Sequence, residues 1–272
     1  MKFFFPPRFI RRLQANLALR SFRPMPHFLG IGTQKGGTTS LYWLLRKHSE
    51  IFLPEPKELQ YFTLNFDKTV DWYSDFFKEA KPGQLRAEIT PYYLYHPSVP
   101  QRIHQLNPAM RMIVLLRDPV ERALSQYFHA KRLGFEDLSI DEAFAAEPSR
   151  LKNSLVVVTE PGGVHFSHQK HSYVSRSCYD QQIKRYFDFF SPSQLLILRS
   201  EDLFNEPDLA MRKIERFLNL SPFPACTELL CANKGEGKAN EVSTSFRKYL
   251  RRKLESTYKW LEHELDLTWT HP

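Results

Sequence analysis

The strongest constraint on the fold is the stretch "MRMIVLLR", residues 110–117. It is a continuous apolar run with β-branched residues at its centre, the pattern of a strand buried on both faces inside a parallel sheet. "PVERALSQYFHAKRL" follows, with Pro119 placed where the first helical turn tolerates a residue lacking N–H. The same order recurs along the chain. "HFLGIG" is a short buried strand, and "TTSLYWLLRKH" a helix with Leu41, Leu44 and Leu45 inward and Thr38 or Thr39 as its N-cap. "LRAEIT" is a strand, and "VPQRIHQLNP" a short helix ended by Asn107-Pro108. "DQQIKRYFDFF", "QLLILRS" and "PDLAMRKIERFLNL" are helix, strand and helix. The last long helical pattern, "SFRKYLRRKLESTYKWLEHEL", carries Leu250, Leu254, Tyr258, Leu261 and Leu265. Strands separated by helices require crossovers, and hence an α/β fold: a central parallel sheet flanked by helices. With no repeat and no low-complexity linker, residues 27–272 are read as a single domain preceded by a basic arm over 1–26.

That arm holds Lys2, Arg8, Arg11, Arg12, Arg20 and Arg23 and no acid. Phe9, Leu13, Leu17 and Leu19 can form one face of a short amphipathic helix, the form of a peripheral membrane contact; a basic arm packed on the domain is the simpler reading. It has no signal-peptide cleavage pattern, and no run approaches the roughly 18 apolar residues of a membrane span. The chain's 42% hydrophobic and 25% charged residues exclude wholesale disorder. Its net charge of +8 points to an anionic partner without separating nucleic acid, membrane, sulfated sugar or nucleotide. Three cysteines, Cys178, Cys226 and Cys231, match no zinc spacing and read as reduced thiols, a Cys226–Cys231 bridge being weakly supported.

Between the first strand and its helix lies "GTQKGGTT". Such a loop aims backbone N–H groups and a helix dipole at an anion, with Gly36 and Gly37 allowing close approach, Thr38 and Thr39 adding hydroxyls and Lys35 a positive charge. Its layout is P-loop-like, but the nucleoside-triphosphate motif needs lysine after the last glycine, and the dinucleotide fingerprint needs glycine where Lys35 stands. A plain strand-to-helix turn is the bland alternative. A second segment counts against it: "IVLLRDPVERALSQY" puts Arg117 at the carboxyl end of the strong strand and Ser125 two turns into the next helix, a guanidinium fork and a hydroxyl for a second anionic group. For Arg117-Asp118 the bland reading is an ion pair with a helix cap.

Taken in order, "TQKGGTTSL", "KELQYF", "EITPYY", "LLRDPVERALSQY" and "RSCYDQQIKRYFDFF" resemble the heparan sulfate sulfotransferases. The likeness is greatest to the glucosaminyl 3-O-sulfotransferases and to the sulfotransferase domain of the N-deacetylase/N-sulfotransferases. The resemblance implies the donor 3′-phosphoadenylyl sulfate (PAPS), with Lys35, Gly36, Gly37, Thr38 and Thr39 at its 5′-phosphosulfate and Arg117 and Ser125 at its 3′-phosphate. It implies no metal. Lys35 would neutralise charge on the leaving oxygen, and Glu58 would be the general base, with Tyr61 and Phe62 packing beneath. Glu88 is the rival base, and an exposed Glu58 paired with Lys57 is the bland alternative. Gln60 and Arg176 are expected on the acceptor side. Arg176, Ser177 and Tyr179 match "RS-x-Y" and would line the cleft, although Tyr179 also reads as core. A late lysine-glycine loop would close over the donor through Lys234 and Gly235, or through Lys238.

The chain departs from the family at Ile89, where the 3-O-sulfotransferases carry a glycan-contacting lysine, which counts against a heparan-type acceptor. His165, His168 and His171 suggest a metal set but lack a carboxylate partner and read as surface residues. Without the Golgi anchor of the animal enzymes, a cytoplasmic location is expected. The sequence thus reads as a sulfotransferase acting on a hydroxyl, less readily an amine, of a carbohydrate-type acceptor, with no nucleic acid partner. The alternatives are a small-molecule or nucleotide kinase, disfavoured by the misplaced lysine, and a non-catalytic module binding sulfated or phosphorylated polymers.

Overall fold

A computed structural model describes residues 23–223 and 238–269. The run 110–117 forms β4 (Arg111–Leu116), and its side chains divide between two cores as a doubly covered strand requires. Met112, Val114 and Leu116 enter one core, and Ile113 and Leu115 the other. The remaining strands are β1 (Phe28–Gly32), β2 (Ile51–Phe52), β3 (Leu85–Ile89) and β5 (Leu195–Arg199). Their order is β2-β3-β1-β4-β5 with every neighbouring pair parallel, so β1 lies at the centre between β3 and β4.

The helices, in chain order, are α1 (Thr38–Arg46), α2 (Val70–Asp75), α3 (Val99–Leu106), α4 (Pro119–Arg132), α5 (Ile140–Arg150) and α6 (Ser154–Thr159). After them come α7 (Phe166–Lys170), α8 (Tyr179–Phe187), α9 (Ser200–Asn205), α10 (Pro207–Leu218), α11 (Thr244–Lys253) and α12 (Glu255–Leu265). Helices α1, α9 and α10 cover one sheet face through Leu41, Leu45, Leu203, Met211 and Ile214. Helices α3, α8 and α12 cover the other through Ile103, Ile183, Tyr186 and Leu261. A third cluster joins α4, α5 and α11 beyond the carboxyl edge of β4.

Two expectations are corrected. The N-cap of α1 is Gly37 at φ 88°, not Thr38 or Thr39; Thr38 is already helical, and the loop must pass through a left-handed residue that threonine would adopt only under strain. The long C-terminal pattern is two helices broken at Leu254. Leu250 and Leu254 pack with α4 and α5 while Leu261 packs on the sheet, and one straight helix cannot face both. No helix among the described residues is long and apolar enough to cross a membrane.

Candidate active site

The loop after β1 is fixed from both sides. Thr33 N–H donates to Leu115 O of β4 at 2.8 Å, and Gly36 N–H to Thr33 O at 3.0 Å. Ser200 Oγ, at the start of α9, donates to Gly36 O at 2.6 Å. A methyl group on Gly36 would lie 2.7 Å from Leu115 O, so the glycine is needed for loop-to-strand packing as well as for approach by a ligand. Lys35 itself takes φ 70°, a sparsely populated conformation held by these contacts. Its ammonium group makes no hydrogen bond or ion pair with the described residues. Burial lowers its pKa to about 8, and Arg132, Arg117 and Arg122 push in the same direction.

One strand over, Arg117 follows β4 and Ser125 lies on the second turn of α4, both half-buried. Neither side chain has a hydrogen-bond partner among the described residues. Of the bland alternative for Arg117-Asp118, the helix cap is present and the ion pair between the two side chains is absent. Asp118 accepts from Glu121 N–H at 2.9 Å, capping α4, and from Tyr258 Oη at 2.8 Å. Tyr179 is fully buried and donates to the Arg117 carbonyl at 3.0 Å, so it holds the backbone that carries the guanidinium. Two buried arginines brace the region. Arg122 donates to Ser177 Oγ at 2.6 Å and to Tyr173 O, and burial lowers its pKa to about 10. Arg176, 1% exposed, donates to Gln34 Oε1 of the loop and to His168 O at 2.6 Å. It therefore supports the loop from behind.

On the β3 side of β1 lies the segment with Glu58. Its carboxylate is exposed, 3.0 Å from Lys57 Nζ, and accepts from Gln60 Nε2 at 3.3 Å. Gln60, at φ 54°, also accepts through Oε1 from Thr63 Oγ1 at 2.7 Å. The rival carboxylate, Glu88, is fully buried. Its Oε1 accepts from Tyr73 and Tyr93 hydroxyls, each at 2.7 Å; its Oε2 accepts from Thr90 Oγ1 at 2.9 Å and Leu59 N–H at 3.3 Å. Burial pushes the Glu88 carboxyl above its usual range, against those four donors. Tyr93 Oη in turn accepts from Phe62 N–H at 3.3 Å. Glu88 thus holds both ends of the segment 59–62 and has no route to a substrate. Tyr61 and Phe62 are buried beneath, with Tyr61 stacked on Tyr73 at 4.0 Å. Ile89 is wholly core.

Lys170 extends a cationic neighbourhood around Lys35 and Arg132 that the sequence did not flag, and His129 within it is held neutral. Burial, then Lys35, Arg132 and Lys170, lower the His129 pKa to about 4. The three candidate metal histidines have separate partners: His165 accepts from His168 N–H, His168 pairs with Tyr92 Oη at 2.7 Å, and His171 Nε2 donates to Phe135 O at 2.7 Å. Among the described residues no group of three or more His, Cys, Asp or Glu is placed to hold a metal ion. A groove of about 750 Å³ between α4, α5 and α11 is lined by Asp141, Glu241 and aromatic rings and lies apart from Lys35, a poor lining for an anionic donor. Lys234, Gly235, Cys226, Cys231, the side chain of Lys238 and residues 1–22 of the arm lie outside the described residues.

Comparison with known proteins identifies the family of this fold. The model of the sulfotransferase domain family matches residues 25–264. Mouse bifunctional heparan sulfate N-deacetylase/N-sulfotransferase 4 is 32% identical over 228 residues, 78% of this chain and 24% of that protein. Mouse heparan sulfate glucosamine 3-O-sulfotransferase 5 is 28% identical over 203 residues, 73% of this chain and 54% of that protein. The chain therefore spans about a quarter to a half of the length of these relatives. A crystal structure of a sulfotransferase from Alicyclobacillus acidocaldarius, 26% identical, superposes with a TM-score of 0.66 over 85% of this chain and 95% of its own. The match of the family model over residues 25–264, on an α/β sheet whose carboxyl edge carries two separate sets of donors unpaired among the described residues, places the chain in the sulfotransferase domain family.

Proposed function

We propose that the chain transfers a sulfuryl group from PAPS to a hydroxyl, in preference to an amine, of a carbohydrate-type acceptor. The observation that carries this reading is the set of unpaired donors at one sheet edge: Lys35 on the loop after β1, and Arg117 with Ser125 after β4. Two half-buried cations and a hydroxyl with no partner among the described residues suit a ligand with anionic groups at both ends. Arg117 and Ser125 hold the 3′-phosphate; Lys35 and the N–H groups from Gly36 to Thr39 hold the 5′-phosphosulfate.

The chemistry is an in-line displacement. The acceptor oxygen forms its bond to sulfur as the bond from sulfur to the bridging phosphate oxygen breaks. Glu58 takes the acceptor proton, and Lys35 neutralises the charge left on the departing bisphosphate. Glu58 suits this role because its carboxylate is solvent-facing and its backbone is fixed through Leu59 by Glu88. Gln60, hydrogen-bonded to Glu58, orients it. Arg176 acts on the acceptor side indirectly, through Gln34.

Labelled sulfate from PAPS, presented with a panel of glycans, lipids and phenols, tests the reading. Transfer to at least one hydroxyl acceptor without added metal is expected, with adenosine 3′,5′-bisphosphate raising the melting temperature. Stabilisation by ATP with magnesium and none by the bisphosphate overturns the reading in favour of a kinase.

A further inference from the structure

Of the ten exposed large hydrophobic side chains among the described residues, five lie between positions 155 and 166. Leu155, Val156, Val157, Val164 and Phe166 are 56, 70, 39, 61 and 51% exposed. Helix α6 buries Ser154 and Val158 and turns three consecutive aliphatic residues outward, the reverse of a helix facing water. Two contacts draw parts of this surface together. A methyl group on Gly163 would lie 1.9 Å from Val157 O, so the residue before Val164 lies against the α6 backbone. Phe166 meets Phe135 edge-on at 5.8 Å, two residues beyond the 45%-exposed Leu133.

Cations flank this surface. Lys131, Arg132 and Lys152 are exposed, and Lys170 Nζ lies 4.8 Å above the Phe135 ring. Of the nearby acids, Asp67 is paired with Lys68 at 3.0 Å, and Asp137 and Glu160 are exposed, against the four cations named above. The patch also borders the acceptor side of the site. Arg102 donates to Phe62 O at 2.9 Å and to Thr159 O at 2.8 Å, tying the end of α6 to the segment that carries Glu58. Aliphatic and aromatic tips ringed by Lys and Arg are complementary to the apolar boundary and anionic headgroups of a bilayer.

We propose that residues 155–166, with Leu133 and the flanking cations, dock the protein on an anionic lipid bilayer and turn the acceptor cleft toward the membrane plane. Docking does not depend on the identity of the donor or acceptor. The test is co-sedimentation of the full chain with vesicles of phosphatidylcholine containing one third phosphatidylglycerol. The comparison is the triple variant Val156→Ser, Val157→Ser, Phe166→Ser. The wild type is expected to bind, more weakly to phosphatidylcholine alone, and the variant to lose at least about tenfold in partitioning with an unchanged melting temperature. Four results overturn the proposal. The wild type fails to sediment with the vesicles. The variant binds as well as the wild type, which moves any membrane contact to another segment and leaves the patch to a protein partner. The wild type is a dimer that the variant breaks, which assigns the surface to a second copy. The variant melts several degrees lower without vesicles, which means the chain itself covers the patch.

Discussion

Replacing Glu88 by glutamine tests whether this buried carboxylate positions the segment 59–62. The side chain keeps its shape, but one oxygen becomes a donor. At the Oε2 position the new NH₂ would face Leu59 N–H, which cannot rotate, so it must go to the Oε1 position. There it meets two phenols, of which Tyr93 already directs its hydrogen by accepting from Phe62 N–H. Two charge-assisted bonds at about 1.5–3 kcal/mol each are lost. Release from burying a charge offsets part of this, leaving a net loss of about 3 kcal/mol. For a chain of this size that lowers the melting temperature by roughly 6–12 °C. Because Leu59 is anchored beside Glu58 and far from the 3′-phosphate donors, turnover should fall roughly tenfold or more while bisphosphate affinity stays within about twofold. Differential scanning calorimetry and bisphosphate titration on the same sample read both. A variant melting within about 1 °C of wild type, or one losing bisphosphate affinity as steeply as turnover, refutes the positioning role.

Glu58→Gln should lower turnover by roughly 10²–10⁴ and leave donor binding intact, measured by labelled-sulfate transfer beside bisphosphate titration; full activity would remove Glu58 from the mechanism. The Lys35 ammonium, at about 8 in the free chain, gains anionic neighbours on donor binding and its pKa must rise. Bisphosphate affinity is therefore complete below about pH 8 and declines as pH rises from there through the higher bound value, with proton uptake on binding. Titrations across pH 7–10 should show this slope in the wild type and not in Lys35→Ala, whose turnover should also fall by roughly 10²–10³.

The central strands and the helices beside them were legible because their signal is local: β4 is apolar on both faces, and α4 opens on Pro119. β2 was not, because two residues carry no period. Helix α5 could have been found, since Ser139 and Glu142 form a capping box whose spacing is visible in the sequence. The break at Leu254 answers to two different cores and is not a local property. Within the site, Lys35, Arg117 and Ser125 were accessible through loop chemistry and strand ends. The supporting contacts were not. Arg176 with Gln34, Arg122 with Ser177, and Glu88 with Leu59 join residues about 30 to 140 positions apart, and pairing at that range leaves no trace in spacing.

The proposed function requires two anion sites that grip opposite ends of one nucleotide. The most direct measurement is calorimetric titration of wild type, Arg117→Ala and Lys35→Ala with adenosine 3′,5′-bisphosphate and with adenosine 5′-phosphate. Arg117→Ala should weaken the bisphosphate by roughly 10²-fold and leave the 5′-phosphate unchanged, while Lys35→Ala weakens both. A wild type that does not bind the bisphosphate, or an Arg117 variant that weakens both ligands equally, contradicts it.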